Sequence, residues 1–314
     1  MIFKKIRKGH IDWRNFLCST PARDYIFQKE PYEDQVDRAA ELIKNADCVL
    51  IGAGAGASTA AGIRYGGKRV TDNFAEFIEK YGKQYMTDMY AAGFYPFPSE
   101  EAKWGYWSKH ALMNRFDPPA LPLYTELYEI VKDKEYFVLT TNVDHQFYKA
   151  GFDESRIFAT QGDYGKIQCQ KACHPKTYDA EELFRKMDAA RRDCLIPSEL
   201  VPKCPVCGGN MAMNLRCDNS FVEDEEWHEA ADRYADFLEQ NQDKKVVLLE
   251  LGVGFNTPII IRFPFEKMVR ENPSYSLIRL NMDEAVVPES FGKRAVGIGG
   301  DMARAITDIR RLVV

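Results

Sequence analysis

The run Val49-Leu50-Ile51-Gly52-Ala53-Gly54-Ala55-Gly56-Ala57-Ser58 constrains the fold of this chain more than any other stretch. Apolar residues of strand type pass into alternating Gly and Ala, and Ser58-Thr59-Ala60-Ala61-Gly62 then opens a helix. A strand entering a turn without side chains lets backbone N–H groups approach an anion closely, with a helix N-terminus aimed at it. The pattern describes a diphosphate cradle. A Gly-rich turn taken alone is equally a tight strand-to-helix connection, and Thr59 stands where the dehydrogenase fingerprint has its last Gly. The rest of the chain has to decide between the two.

At 314 residues the chain has room for one large domain with a smaller one inserted, or for two domains. Its 28% charged residues and net charge of −5 give no reason to expect nucleic acid as a partner. Met1 to Lys8 is basic but no apolar segment follows, and no run of about eighteen uncharged apolar residues occurs anywhere. These features predict a cytoplasmic protein with no membrane partner. The 8 cysteines are too few for a disulfide scaffold at this length.

Residues 1–30 show no clear period and fit an arm packed on the body. Pro31 begins a helix whose stripe is Val36, Ala39, Ala40, Leu42 and Ile43, ending near Asn45. Short apolar runs then predict strands at Asp47–Ile51, Tyr136–Thr140, Arg156–Ala159, Val246–Leu251, Ser276–Leu280 and Ala295–Ile298. Helical stretches separate most of them, so the economical fold is α/β, a doubly wound parallel sheet covered on both faces. Ligands of such sheets bind beyond the carboxyl ends of the strands. Those ends are polar or Gly-rich here, at 52–58, 141–144, 161–163, 252–256, 281–283 and 299–301, and their convergence favours the cradle. The segment 67–116 is rich in Phe, Tyr, Trp and Met and reads as a helical insertion whose aromatics are mainly core.

Cys169-x3-Cys173 and Cys204-x2-Cys207 form two closely spaced pairs, and two such knuckles complete a tetrahedral site of four thiolates. With no open position suggested, the metal is expected to be a structural zinc. His174 is a weaker alternative to Cys173. The helix between the pairs carries Leu183, Phe184 and Met187 on one face. Cys18, Cys48, Cys194 and Cys217 lack such spacing and read as buried or incidental residues.

A strand into Gly-Ala-Gly-x-Ser, a strand into Thr-x-Asn-Val-Asp, an inserted four-cysteine module and later Gly-x-Gly and Asn strand ends together resemble the sirtuins, over about residues 35–312. The resemblance implies a Rossmann-like NAD-binding domain made of 31–66, 117–164 and 218–314. The helical insertion 67–116 and the zinc-binding module 165–217 form a smaller domain, with the reaction in the cleft between the two. It implies cofactor contacts from Gly54, Ala55, Gly56, Ser58, Thr141, Asn142, Asp144, Gly252, Gly254, Asn281 and Asp301. In it Asn142 lies near the reacting sugar, Asp144 seats the nicotinamide amide and Asn281 lies on the adenosine ribose. Arg64-Tyr65-Gly66-Gly67 replaces the family's Pro-Asp-Phe-Arg, and Gly252-Val253-Gly254 replaces a Gly-Thr-Ser turn.

The most telling departure is Gln161, which stands where deacylating sirtuins have a His followed by Gly. An amide does not titrate near neutral pH and cannot serve as a base. Cleavage of the nicotinamide–ribose bond needs orientation and charge stabilisation, which Asn142 and Asp144 can supply, whereas the deacylation cycle stalls without a base. Direct transfer of ADP-ribose is the simplest outcome, and an ionised Asp or Glu acceptor needs no base. Gly-Ala-Gly-Ala-Gly with Gln at the His position resembles the macrodomain-linked, class M, microbial sirtuins. That resemblance implies a protein mono-ADP-ribosyltransferase, a lipoylated glycine-cleavage-type carrier as substrate, a macrodomain hydrolase acting on the same target, and oxidative stress as the setting.

The alternatives are a deacylase using His145 or water in place of the missing base, a silent sensor of NAD or ADP-ribose, and an NAD hydrolase. Each site residue also has a plainer role. Asn142 and Asp144 can cap the following helix, Gln161 can be an ordinary turn residue, and His145 can be structural. Asp301 reads as a helix cap near the adenine edge, and Glu223-Asp224-Glu225-Glu226 as a solvated helix start.

Overall fold

A computed structural model describes residues 21–255 and 258–314. Residues 1–20 of the expected arm, with Cys18, lie outside the described residues, as does Asn256 of the 252–256 turn. The chain opens with β1 (Tyr25–Ile26), α1 (Tyr32–Asn45), β2 (Cys48–Ala53) and α2 (Ala55–Ala60). The insertion follows as α3 (Lys68–Asn73), α4 (Ala75–Tyr81), α5 (Met89–Gly93), α6 (Glu100–Ala111) and a π-helical turn, Leu112–Phe116. Next come α7 (Pro122–Val131), β3 (Glu135–Thr140), α8 (Gln146–Lys149), β4 (Ile157–Ala159), β5 (Gly162–Cys169), β6 (Thr177–Asp179), α9 (Glu181–Ala190) and β7 (Met211–Leu215). The chain closes with α10 (Glu225–Gln240), β8 (Val246–Leu251), α11 (Arg262–Glu271), β9 (Tyr275–Asn281), β10 (Val287–Pro288), β11 (Ala295–Gly299) and α12 (Met302–Val313).

The six expected strands form one parallel sheet in the order β11-β9-β8-β2-β3-β4. From β2 the chain winds outward through β3 and β4, then returns beside β2 as β8 and continues through β9 to β11. The switch point therefore falls between β2 and β8, and doubly wound sheets bind ligands in the crevice such a reversal opens. All six residues of β2 are buried because helices cover both faces. Val49, Ile51 and Ala53 pack with Val36, Ala39, Ile43, Leu127 and Ile306 of α1, α7 and α12. Leu50 points the other way, into a cluster with Phe237 and Leu238 of α10 and Phe265 and Val269 of α11. The period of two along a strand thus fills two separate cores.

The second sheet is small and antiparallel, in the order β6-β5-β7, and carries the cysteine module. It packs with the insertion: Trp104 and Trp107 of α6 share a core with Tyr164, Ile167, Phe184 and Met213. Phe74, Phe77 and Tyr106 form a further aromatic core, as the composition of the segment leads one to expect. On the far side, Gln28 completes the exposed edge of β11. Its Nε2 donates to the Ala295 carbonyl at 3.0 Å, and its Oε1 accepts from the Gly297 N–H at 2.9 Å. One long side chain thereby occupies backbone groups that an edge strand leaves open.

Between the sheet and α11 lies a buried ionic cluster. Glu250, Arg262, Glu266 and Arg279 are each 0% exposed. Arg279 spans both carboxylates, from Nε and Nη2 to Glu250 at 2.7 Å each and from Nη2 to Glu266 at 2.9 Å. Arg262 donates to the carbonyls of Val253, at 2.9 Å, and Glu284, at 3.0 Å. The cluster thus anchors the turns that follow β8 and β9, two of the strand ends at the carboxyl edge of the sheet.

Candidate active site

At the switch point the turns after β2 and β8 interlock through their backbones. The Gly54 N–H donates to the Leu251 carbonyl at 2.9 Å and the Gly56 N–H to the Gly252 carbonyl at 3.0 Å. A Cβ on Gly56 would meet Gly252 Cα at 2.6 Å, and one on Gly252, whose φ is 61°, would meet the backbone of Gly56 and Ala57 at 2.5 Å. Neither position has room for a side chain. Gly252 therefore backs the Gly-rich loop, while Ala55 on the outer side of that loop is exposed and Gly54 is buried. Gly254 is half-buried in the adjoining turn.

The turn after β3 is tied to the same loop. The Thr141 N–H donates to the Ala53 carbonyl at 3.0 Å, and the Asn142 N–H donates to Thr140 Oγ1 at 3.0 Å. Ser58, 3% exposed, donates its hydroxyl to Asp144 Oδ2, and Asp144 Oδ1 accepts from the Gln146 N–H at 3.2 Å. Asp144 thus bonds at the start of the following helix, as its capping role suggests, while its second oxygen reaches across to the Gly-rich loop. Tyr124 of α7 joins both sides, with its hydroxyl 3.2 Å from Ser58 Oγ and 3.5 Å from Asn142 Nδ2. Asn142 is 8% and Asp144 1% exposed, so both present fixed polar atoms from a wall largely closed to water.

Burial pushes the Asp144 carboxyl above its usual range, with the Ser58 hydroxyl and the Gln146 N–H pulling it partly back. A carboxyl raised in the folded state binds its proton more readily there than in the unfolded chain. Its contribution to stability is therefore full below the unfolded-state pKa and lost as pH rises through the folded one. Asp144→Asn removes this dependence, so its stability relative to wild type should rise as pH climbs from the ordinary carboxylate range through the raised folded-state pKa. Urea midpoints across that range check the sign.

Gln161 follows β4 and is half-buried, and its Nε2 donates to Thr160 Oγ1 at 3.3 Å. Its backbone carbonyl accepts from the Arg216 N–H at 3.1 Å. Two residues on, Asp163 holds His145, whose Nδ1 lies 2.7 Å from Asp163 Oδ2. Burial alone would raise the Asp163 carboxyl, but the His145 hydrogen bond and the Arg115 charge outweigh it and hold Asp163 below the usual carboxylate range. His145 is accordingly held through one ring nitrogen, Nδ1. Asn281 links two strand ends, donating from Nδ2 to the Val253 carbonyl at 3.2 Å and accepting at Oδ1 from the N–H groups of Asp283 and Glu284. Asp301 caps α12 through the N–H groups of Ala303 and Arg304, and Asp224 caps α10 through that of Trp227.

The four cysteines meet as their spacing requires. Their Sγ atoms all lie within 4.8 Å of one another, with Cys169–Cys207 at 3.7 Å and Cys173–Cys204 at 3.6 Å. Zinc–sulfur bonds of about 2.3 Å in a tetrahedron set the sulfurs about 3.8 Å apart, so the cluster fits a structural zinc held by four thiolates. His174 does not displace Cys173. Its Nδ1 sits 3.1 Å from Cys173 Sγ and its Nε2 2.7 Å from the Tyr178 hydroxyl, which makes it a neighbour of the ligands. Such outer contacts orient metal ligands. Among the described residues no helix is long and apolar enough to cross a membrane.

The sequence alone did not reveal Tyr124, Asp163 or Arg115 as parts of this site. Asp163 lies inside a turn that the strand pattern marks, whereas Tyr124 comes from a helix with no motif.

No family model matches the chain. It is 38% identical over 283 residues to a protein ADP-ribosyltransferase of Staphylococcus aureus, covering 88% of this chain and 89% of that one. It is also 31% identical over 286 residues to a probable bifunctional ADP-ribose hydrolase/ADP-ribosyltransferase of Fusarium oxysporum f. sp. cubense, covering 85% of this chain but only 46% of that longer protein. Among solved structures it is similar to a Sir2 homolog in complex with NAD, with TM-score 0.57 and 14% identity over 94% of this chain and all of that one. A Sir2 protein bound to a propionylated peptide aligns with TM-score 0.54 and 17% identity over 88% of this chain and 96% of that one. At such identities these two likenesses establish the fold.

Proposed function

Because the chain belongs to the sirtuin family of protein ADP-ribosyltransferases, we propose that it binds NAD across the β2–β8 switch point, releases nicotinamide and transfers one ADP-ribose unit to a side chain of a partner protein. The observation that carries this reading is the pairing of a buried Asn142–Asp144 turn, locked to the Gly-rich loop through Ser58 and Tyr124, with an amide rather than an imidazole at position 161. The loop Gly54–Ser58 would hold the diphosphate. Asn142 and Asp144 would seat the nicotinamide and face the sugar carbon from which it departs. Fixed dipoles in a water-poor wall stabilise the cation-like sugar that forms as the bond stretches, and no reorganisation is needed at that moment. When bound, NAD supplies the electrophilic carbon and a neutral leaving group. The zinc holds the small antiparallel sheet in place and takes no part in the chemistry.

Gln161 offers no base, which favours an acceptor that is already ionised. The acceptor is thus an Asp or Glu side chain, and the resemblance to the macrodomain-linked sirtuins implies a lipoylated carrier protein as its bearer. A macrodomain hydrolase that removes the modification is the natural counterpart, in keeping with the bifunctional protein of Fusarium. The test is nicotinamide release from NAD with and without a lipoylated carrier, following the carrier by mass spectrometry. Carrier-dependent release together with the added mass of one ADP-ribose is expected, and mapping should place it on a carboxylate. A modified serine or arginine would overturn the acceptor assignment. Binding of NAD without release under any condition would leave a sensor instead, and loss of an acyl group from a peptide would mark a deacylase.

A further inference from the structure

Asp163, with its side chain 16% exposed, collects donors from three parts of the fold. They are His145 Nδ1 in the turn after β3, at 2.7 Å, Arg115 Nε in the π-helical turn that closes the insertion, at 3.0 Å, and the Gly165 N–H of its own strand, at 2.5 Å. The same strand, β5, ends at the zinc ligand Cys169. The cleft wall, the insertion and the cysteine module are therefore joined at one carboxylate.

His145 makes its share of this junction from a backbone that does not suit it. Its φ of 64° and ψ of 16° lie in the left-handed region, where a β-carbon is crowded and which Gly enters far more readily. The conformation is held by its side chain, through the Asp163 bond and through stacking on Tyr148, with ring centroids 4.1 Å apart and planes 11° apart. If the turn needed only its backbone shape, glycine would provide it at lower cost. Strain of this kind concentrates at functional sites and persists only where the surroundings over-determine it. His145 also directly follows Asp144, and Asp163 lies two residues after Gln161.

We propose that His145 is a positioning residue, whose left-handed backbone and bond to Asp163 lock the Asn142–Asp144 turn against the Gln161 turn. The proposal rests on the reading of Asn142 and Asp144 as the groups beside the nicotinamide. A shift of about 1 Å in such groups can lower turnover by about a hundredfold.

Two variants separate backbone from side chain. His145→Gly keeps the left-handed turn without strain and removes the bond. His145→Asn tolerates the same backbone and retains a donor for Asp163. In His145→Gly, relief of the left-handed backbone offsets part of the lost bond and stacking, so the melting temperature should stay within about 5 °C of the wild type. Amide hydrogen exchange at residues 142–146 and 161–165 should nevertheless speed up by about tenfold or more. Its kcat for nicotinamide release should fall about ten- to a hundredfold, with KM for NAD changed less than threefold. His145→Asn should restore kcat to within about threefold of wild type. Wild-type exchange at both turns in His145→Gly, or a melting temperature lowered by more than about 10 °C, would overturn the proposal. Exchange and melting need no turnover, so they decide the point even if the wild-type protein releases no nicotinamide, an outcome that would instead sink the functional reading.

Discussion

Asn142→Ala should lower nicotinamide release by roughly 10²- to 10³-fold while leaving the fold intact, the size of effect seen when one preorganised dipole is removed from a developing charge. Asn142 is 8% exposed, and its Nδ2 has one long contact, 3.5 Å, to the Tyr124 hydroxyl. Its side chain contributes little to packing, so truncation should cost about 1 kcal/mol of stability or less. The loss should appear in kcat rather than in KM for NAD, because backbone contacts of the loop at Gly54–Ser58 and the side-chain bonds of Asn281 do not involve Asn142. Tyr124→Phe is the internal comparison. It removes the hydroxyl that fixes Asn142 but leaves the amide, so its loss should be smaller, about tenfold. Equal losses in the two variants would mean that Asn142 acts only through its attachment to Tyr124. Wild-type release by Asn142→Ala would remove the residue from the chemistry altogether.

Arg279→Met should destabilise the protein by about 3–5 kcal/mol, the range expected when one member of a buried ionic group is removed and its partners stay behind. Arg279 makes three short contacts to Glu250 and Glu266, and both carboxylates are 0% exposed. Arg262 is the nearest remaining cation, at 3.8 Å from Glu250 and 4.0 Å from Glu266, both beyond hydrogen-bond distance, and its Nη1 and Nη2 donate to the Val253 and Glu284 carbonyls. Glu250→Met/Arg279→Met should lose much less than the sum of its single variants, since Arg262 and Glu266 then balance. The cluster holds the turns after β8 and β9, so Arg279→Met should also weaken NAD binding at temperatures where it is still folded. Urea midpoints and NAD titration measure the two effects. If the double variant is as unstable as the two single variants summed, the cluster does not act as a neutral unit.

Much of the fold is written in local pattern. Each strand of the parallel sheet announces itself because it is short, apolar and flanked by helices. The four thiolates announce themselves because a knuckle of three or four residues fixes its own geometry. Asp144 and Asp301 could be read as caps for the same local reason. The small sheet β6-β5-β7 was not visible. Its strands alternate little and include residues such as Lys166 and Gln168, and they pair only because the cysteines and the aromatic core of the insertion bring them together.

The ionic cluster was equally hidden. Glu250 and Arg279 sit inside apolar runs where a charged residue looks like a defect, and only the parallel pairing that sets Glu250 directly beside Arg279 turns it into a bond. His145 is the sharpest case. Its sequence neighbours mark a polar turn, but nothing local says that the residue takes a left-handed backbone or that Asp163, far along the chain, receives its ring.

By itself, then, the sequence determined the parallel sheet, the Gly-rich turn and the metal ligands, since each depends on residues a few positions apart. The tertiary structure alone decided what surrounds them: Gly252 behind Gly56, Tyr124 between Ser58 and Asn142, Asp163 between His145 and Arg115. Those contacts join segments separated by tens to hundreds of residues. They form because winding away from β2 and back to it sets distant strand ends side by side, and no short-range preference encodes that adjacency.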